Sequence, residues 1–160
     1  MQPDVTHEVH RVFDLTRGVL SDAFSFNALA DFTALCRKKP LRIEEELLPV
    51  AITGYCVALR DVDLICTRRG LDAILLVTAR LHEIAHLLLG HIPSFSMGDA
   101  TPSYATFVHH RDLSSVLYRA HTSAYESPSE YAAEMLATLL LKCTFREQNS
   151  MPQLARELYS

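Results

Sequence analysis

Two histidines four positions apart, with a glutamate directly after the first, constrain this chain more than any other feature. They lie in the stretch 82–91, whose sequence is HEIAHLLLGH. In a helix, with about 100° of rotation per residue, His82 and His86 lie about 40° apart on one face and one turn apart. Glu83 lies about 60° from His86, where it can reach a water on a metal held by the two imidazoles. The spacing therefore predicts a helix that carries two zinc ligands and a base.

The residues on both sides of this motif favour a helix that is buried on most sides. Apolar runs precede it at 73–77 and follow it at 87–89, and Asp72, directly before the first run, is the expected N-cap. An unsatisfied buried polar group costs on the order of several kcal/mol, and one metal ion satisfies two histidines at once. Gly90 is expected to end the helix in a left-handed conformation, and His91, about half a revolution from His82, is not expected to join the ligands. The third ligand must come from elsewhere in the chain.

A pair of glutamates occurs in a later segment that is otherwise apolar. The sequence SPSEYAAEMLATLLL, at 127–141, predicts a helix with Ser127 as its N-cap. Glu130 and Glu134 lie one turn apart on that helix, and the metal site needs both a carboxylate ligand and a carboxylate that orients a ligand histidine. Glu130 could instead close a capping box with Ser127. We expect Glu130 as the third ligand and Glu134 beside it, with the reverse assignment left open.

The remaining periodicities predict helices followed by strands. Apolar residues recur at helical spacing over 5–20 and over 22–39, where Pro40 is the expected stop. From Leu41 the pattern becomes strand-like, and the segments 55–60 and 64–67 predict a β-hairpin directly before the motif helix. The edge of such a hairpin could hold an extended peptide through main-chain hydrogen bonds.

Composition bounds the class of protein. A chain of 160 residues with 49% hydrophobic side chains is expected to form one domain around one core. With 15 basic and 19 acidic residues the net charge is -4, and no basic cluster is longer than 37–39, so direct nucleic-acid binding is not expected. Apolar runs of about seven residues are far shorter than the ~20 that span a membrane, and no secretory pattern opens the chain. The expectation is a soluble, cytoplasmic protein.

The cysteines and the early histidines are expected to be structural. The four cysteines are widely spaced and contain no Cys-x-x-Cys pair, which indicates reduced core thiols. A disulfide between Cys56 and Cys66, which lie in the two neighbouring strands, is the alternative in an oxidising compartment. His7 and His10 are three apart on the first predicted helix, where a solvated face accounts for them.

The hairpin, the His-Glu-x-x-His motif with its following Leu-Leu-Leu-Gly-His, and the later Glu-x-x-Ala-Glu pattern that begins at Glu130 closely resemble the ImmA/IrrE family of metallopeptidases. The similarity spans about residues 40 to 142. It implies a compact zincin-like α+β domain, with helices around a small sheet. It also implies that zinc is bound by His82, His86 and a Glu of the later helix, and that Glu83 is the catalytic acid/base.

This resemblance further implies a partner, since members of the family commonly act on a helix-turn-helix transcriptional regulator encoded nearby. The expected function is a zinc-dependent endopeptidase of restricted specificity that cleaves such a regulator. The alternative is a regulatory binding module that docks on the regulator without cutting it. Glu83 favours the peptidase, because a module with no hydrolytic role has no need of a carboxylate at that position. The expected domain is 1–160, with a helical part at 1–39, a catalytic core at 40–142 and a tail at 143–160.

Two further features of a peptidase are left open by spacing. The irregular stretch 92–106 predicts a loop over or beside the site that could control access of substrate. A donor to the oxyanion of the hydrolytic intermediate is also required. The polar candidates for it are His109, His110, Arg119, His121, Tyr125 and Tyr131.

Overall fold

Helices pack around a small sheet, so the predicted α+β class is confirmed. A computed structural model describes residues 4–21, 24–92, 100–109 and 127–147 of the chain. In chain order the elements are α1 (Val5–Leu20), α2 (Phe26–Arg37), β1 (Leu41–Glu46), β2 (Gly54–Ala58), β3 (Asp63–Arg68), α3 (Ala73–Leu89), α4 (Tyr104–His109) and α5 (Pro128–Glu147). Among these residues, no helix combines the length and the apolar character that crossing a membrane requires.

The sheet contains three strands in the order β1-β3-β2. β2 and β3 form the predicted antiparallel hairpin, in which Gly54 is opposite Thr67. β1 crosses over and pairs in parallel with β3, so that Leu41 is opposite Asp63. β3 is therefore the central strand, and β2 lies at one edge of the described sheet. The first residue of β2 and the N-terminal half of α3 line the same cavity.

The two faces of the sheet belong to separate apolar cores, because successive side chains of a strand point to opposite sides. Cys56 and Ile65 face α3 and the other long helices. Tyr55 and Cys66 face the opposite side, where Phe107 of α4 covers them. Cys56 and Cys66 therefore lie on different faces, and all four cysteines are free thiols, so the alternative of a disulfide between them is wrong.

Helix α3 begins and ends where the sequence predicts. Asp72 is the N-cap, and its Oδ1 accepts a hydrogen bond from the backbone N–H of Leu75 at 2.9 Å. Gly90 ends the helix in the left-handed region, with φ of 71°. The expectation of burial on most sides holds for the middle of the helix but not for its first turn, where Ile74 and Leu75 are about half exposed. Leu75 instead lines a cavity.

Two predicted boundaries are corrected. α2 begins at Phe26 after a Ser25 cap and ends at Arg37, and the C-cap residue Lys38 adopts the left-handed conformation two residues before Pro40. The end of the predicted 92–106 loop is helical, since α4 begins at Tyr104. The backbone N–H of Tyr104 donates to Asp61 Oδ1 at 2.8 Å, which holds α4 against the sheet face away from α3. Residues 93–99 lie outside the described part of the chain.

Replacing Gly90 by Ala is expected to destabilise the protein by ~1 kcal/mol, because a residue with a Cβ is strained at this positive φ. The matched control is Gly18→Ala in the last turns of α1, which is expected to be neutral or stabilising by up to ~1 kcal/mol because Ala is the better helix former. An added Cβ meets nothing within 4 Å at either position, so backbone conformation alone separates them. Urea midpoints measure both effects, and shifts of the same sign would contradict the assignment.

Candidate metal centre

The three residues of the motif share one face of α3, as its helical period requires. His86 is 4% exposed and Glu83 is 2% exposed, whereas part of the His82 side chain reaches the surface. α5 packs against this face of α3. It brings a carboxylate opposite the two imidazoles, so the site is built from two helices that are far apart in the sequence.

Glu130 is the carboxylate that meets both histidines. Its Oε2 lies 3.1 Å from His82 Nε2, and its Oε1 lies 3.2 Å from His86 Nε2. The two Nε2 atoms are 3.1 Å apart. The backbone N–H of Glu130 donates to Ser127 Oγ at 3.2 Å, so the main chain of this residue takes the helix cap while its side chain is directed at the imidazoles. Only the serine half of the capping box is observed, and the Glu130 carboxylate that would complete the box is directed at the two histidines.

The spacing of these three groups fits a tetrahedral zinc ion. Zinc binds imidazole nitrogen and carboxylate oxygen at about 2.0–2.1 Å, which places neighbouring ligands of a tetrahedron about 3.3 Å apart. The observed separations of 3.1–3.2 Å agree with this value. Without a cation, each Nε2 atom would need a proton in order to donate to Glu130. The two Nε2 atoms are 3.1 Å apart, so two N–H groups would then lie against each other. A cation satisfies all three groups, and together they form a set that could hold one.

Glu134 lies one turn further along α5, on the other side of His82. Its Oε2 is 3.3 Å from His82 Nδ1, and its side chain is 67% exposed. A carboxylate at this nitrogen favours the tautomer with the proton on Nδ1, which leaves the Nε2 lone pair available to a metal. The structure therefore places Glu130 against the Nε2 atoms of both histidines and Glu134 against the other ring nitrogen of His82.

A cavity of about 470 Å³ opens beside this group. Its walls are residues 51–54 at the start of β2, α3 residues between Leu75 and Glu83, and residues of α5 and its cap between Ser127 and Glu134. Its volume lies within the usual range for ligand sites. Glu83 lines the same cavity as His82 and Glu130, so a carboxylate, two candidate ligands and space for a substrate occur together.

The other polar residues singled out in the sequence lie away from this group or beyond the described residues. His91 Nε2 is 3.9 Å from Glu8 Oε2 on α1 and does not join the candidate ligands. His7 and His10 are exposed on α1. His109 ends α4, which covers the opposite face of the sheet. Of the candidates for an oxyanion donor, Tyr131 lines the cavity. Four others lie outside the described residues: His110, Arg119, His121 and Tyr125.

A second group of possible ligands lies on the far side of the sheet and consists of Glu44, Glu46 and Cys66. The hydroxyls of Tyr104 and Tyr55 donate to the carboxylates of Glu44 and Glu46. Burial raises the pKa of Cys66 to about 12, so this thiol is protonated near neutral pH. Hydrogen bonds within the protein therefore account for this group, and the histidine site is the stronger candidate.

Comparisons of the chain with protein-family models, with curated proteins and with solved structures find no match. Support for a function therefore comes from the residues described above. The sequence-based prediction overlooked Gly54, the first residue of β2, where an added Cβ would lie 3.6 Å from Glu83 Oε1. The signal for it was a glycine in a strand segment directly before the motif helix, since a glycine in a strand often marks a close approach of another group.

Proposed function

We propose that the protein is a zinc-dependent endopeptidase with a zincin-like fold, in which His82, His86 and Glu130 bind zinc and Glu83 is the acid/base. One observation supports this proposal above the others. Two imidazole nitrogens and a carboxylate from separate helices meet within 3.1–3.2 Å, beside a cavity that Glu83 also lines. Two imidazoles and one carboxylate leave a fourth tetrahedral position open, as in catalytic and not structural zinc sites.

The residues of the chain have separate roles in hydrolysis. When bound, zinc supplies Lewis acidity, which favours deprotonation of water and polarises a peptide carbonyl. Glu83 accepts the proton from the attacking water and then delivers it to the leaving nitrogen. Glu134 keeps the His82 ring in the orientation and tautomer that ligation needs. Tyr131, on the cavity wall, is the described candidate for a donor to the developing oxyanion.

The position of β2 supports a polypeptide substrate. β2 is an edge strand, and its first residue, Gly54, lines the cavity beside Glu83. Main-chain groups of an edge strand can pair with an extended peptide, which aligns a peptide bond with the site without reading its side chains. Pairing of this kind selects weakly, so restriction to one protein requires docking contacts elsewhere on the partner.

The proposed substrate is a cytoplasmic helix-turn-helix transcriptional regulator, the partner that the ImmA/IrrE resemblance implies. By the same resemblance, the first substrate to test is a helix-turn-helix regulator encoded near the gene of this protein. The chain has a net charge of -4 and no long basic cluster, so a role in transcription would act through another protein and not through DNA contacts.

Incubation of the zinc-loaded protein with that regulator is expected to yield two defined fragments, visible on a gel and measurable by mass spectrometry. A chelator is expected to stop the reaction, because it removes the zinc that the proposed mechanism requires. Addition of zinc after removal of the chelator should restore it. Cleavage that continues at the same rate with chelator present would reject the metal-dependent mechanism.

A further inference from the structure

The cavity beside the histidines extends well beyond the candidate metal site. Its volume of about 470 Å³ is far larger than the ~10–15 Å³ that one water molecule needs. Leu75, Ala79 and His82 all line it, and spacings of four and three residues place them on one face of α3. At a rise of about 1.5 Å per residue, Leu75 is about 10 Å from His82 along the helix axis. The cavity therefore has room for substrate groups on one side of the histidines.

The wall opposite α3 is formed by residues 51–54. The short connection 69–72 reverses the chain between β3 and α3, so α3 runs in roughly the direction of β2, which is antiparallel to β3. Gly54 is close to Glu83, since a Cβ added to Gly54 would lie 3.6 Å from Glu83 Oε1. The residues that precede Gly54 therefore lie beside the α3 residues that precede Glu83.

Apolar residues line this part of the cavity from both sides. They are Leu75 and Ala79 on α3 and Ala51 and Ile52 before β2, and together they form the apolar end of the cavity. Leu75 is 47% exposed, so much of its apolar surface is available to a ligand. No Lys or Arg is among the described residues that line the cavity. An acidic side chain at the apolar end would therefore lose water without meeting a cation, whereas an apolar side chain would gain from burial.

Hydrogen bonds hold the wall before β2 in place. The backbone N–H of Arg68 in β3 donates to the Thr53 carbonyl at 2.8 Å, and the Arg68 guanidinium donates to the Val50 carbonyl. The backbone N–H of Ile52 donates to the Pro49 carbonyl at 2.9 Å. Contacts within the protein therefore shape this wall, as is usual for ligand sites, which are largely preformed.

We propose that the apolar end of the cavity binds an apolar side chain of the substrate, at a residue that adjoins the cleaved bond. This inference rests on the proposed function and deepens it. An extended peptide advances about 3.3 Å per residue. Ala79 and Leu75 are about 4.5 and 10 Å from His82 along α3, so the side chain of an adjoining residue reaches both when the reacting carbonyl is at the histidines. Selection of one side chain then supplements main-chain pairing with β2.

Binding of two peptides blocked at both ends, Ala-Ala-Leu-Ala-Ala and Ala-Ala-Glu-Ala-Ala, tests the inference without cleavage. The protein is Glu83→Gln in buffer that contains zinc, which leaves the peptides intact, and methyl NMR signals of Leu75, Ile52 and Ala79 report binding. The leucine peptide should shift these signals and bind at least about tenfold more tightly, because burial of a leucine side chain corresponds to about 10–100-fold in affinity. Equal binding of the two peptides, or binding of neither, overturns the inference.

Leu75→Lys, added to Glu83→Gln, should change this preference. It replaces apolar surface by a cation on the cavity wall, so the ratio of the two affinities should move about tenfold in favour of the glutamate peptide. Ile74→Lys is the matched control, because Ile74 is also apolar and 55% exposed but does not line the cavity. Both variants add the same charge to the same turn of α3. An equal change in both, or no change in Leu75→Lys, overturns the inference.

The regulator allows the same test during cleavage, after mass spectrometry has located the cut. The two residues that flank the cut are replaced by Glu, one at a time. At one of them cleavage by the wild-type protein should slow at least about tenfold, since a pocket discriminates by that much even for one methylene. Leu75→Lys should recover part of the loss, and Ile74→Lys should not. Unchanged cleavage at both positions overturns the inference.

The binding measurement separates this inference from the proposed function. If the wild-type protein does not cut the regulator while the leucine peptide is preferred and Leu75→Lys changes the ratio, the peptidase proposal is rejected and the apolar end is supported as a binding site. If the regulator is cut but the two peptides bind equally, the peptidase proposal stands and the inference is overturned. If Leu75→Lys does not fold, the comparison of the two peptides still decides.

Discussion

Replacing Glu83 by Gln is expected to slow cleavage of the regulator at least ~100-fold while zinc and the regulator remain bound. Gln has nearly the same shape but cannot accept a proton from water, and general acid–base catalysis contributes on the order of 10²–10⁴-fold. Glu83 is 2% exposed and lies outside the proposed ligand set, so the substitution leaves the zinc ligands in place. Time courses of fragment formation, with metal analysis of the same samples, measure the effect.

Glu134→Gln is the matched control, because it also changes one carboxylate to an amide in the same cavity. Its expected loss acts through His82 and the metal, so excess zinc should recover activity. Glu83→Gln should not recover with zinc. Equal release of the regulator from DNA by wild type and Glu83→Gln, with no new fragment on a gel, would reject catalysis. The docking module would then be the better account of the site.

One zinc ion per chain, lost on substitution of both histidines, is the second expected result. The proposed ligands His82, His86 and Glu130 come from two helices, and their ring nitrogens and carboxylate oxygens lie 3.1–3.2 Å apart. Metal analysis of protein prepared without chelator should give a stoichiometry near one. The His82→Ala, His86→Ala double variant should retain almost none, because a single carboxylate cannot hold the ion. A stoichiometry near zero in the wild type, or zinc retained in the double variant, would contradict the assignment.

Two variants distinguish zinc binding by Glu130 from the helix cap at Ser127. Glu130→Gln is expected to weaken zinc binding at least tenfold. Changing a residue that hydrogen-bonds to a metal ligand lowers metal affinity 10–100-fold, and loss of a ligand itself is expected to cost at least as much. Ser127→Ala removes the hydrogen bond to the Glu130 backbone N–H, with a loss of ~1 kcal/mol in stability and zinc retained. A competition titration with a zinc chelator measures both. A larger effect for Glu134→Gln than for Glu130→Gln would move the ligand one turn along α5.

Local features of this protein follow from the sequence alone. The face shared by His82, Glu83 and His86 is a consequence of the helical period, which needs no tertiary contact. The caps at Asp72 and Gly90 are likewise properties of a few neighbouring residues, and both occur as predicted. The hairpin of β2 and β3 is also local, because its strands are joined by a short turn. These features depend on interactions between residues that are close in the chain.

Other features needed the tertiary structure because they depend on how distant segments pack. Pairing of β1 with β3 places β2 at the edge, and nothing in the strand pattern distinguishes that order from others. The packing of α4 on the far side of the sheet was missed for the same reason.

Which of Glu130 and Glu134 contacts both histidines also depends on the tertiary structure. Both carboxylates lie about 40° apart on one face of α5, so helical period cannot separate them. The rotation and axial position of α5 against α3 are set by its buried apolar face, where Ala132 and Ala133 are fully buried and small enough for close approach of the two helices. That packing brings Glu130 to both Nε2 atoms and leaves Glu134 at Nδ1 of His82. The sequence by itself determined which residue types could bind a metal, and only the packing of two distant helices decided which carboxylate meets the histidines.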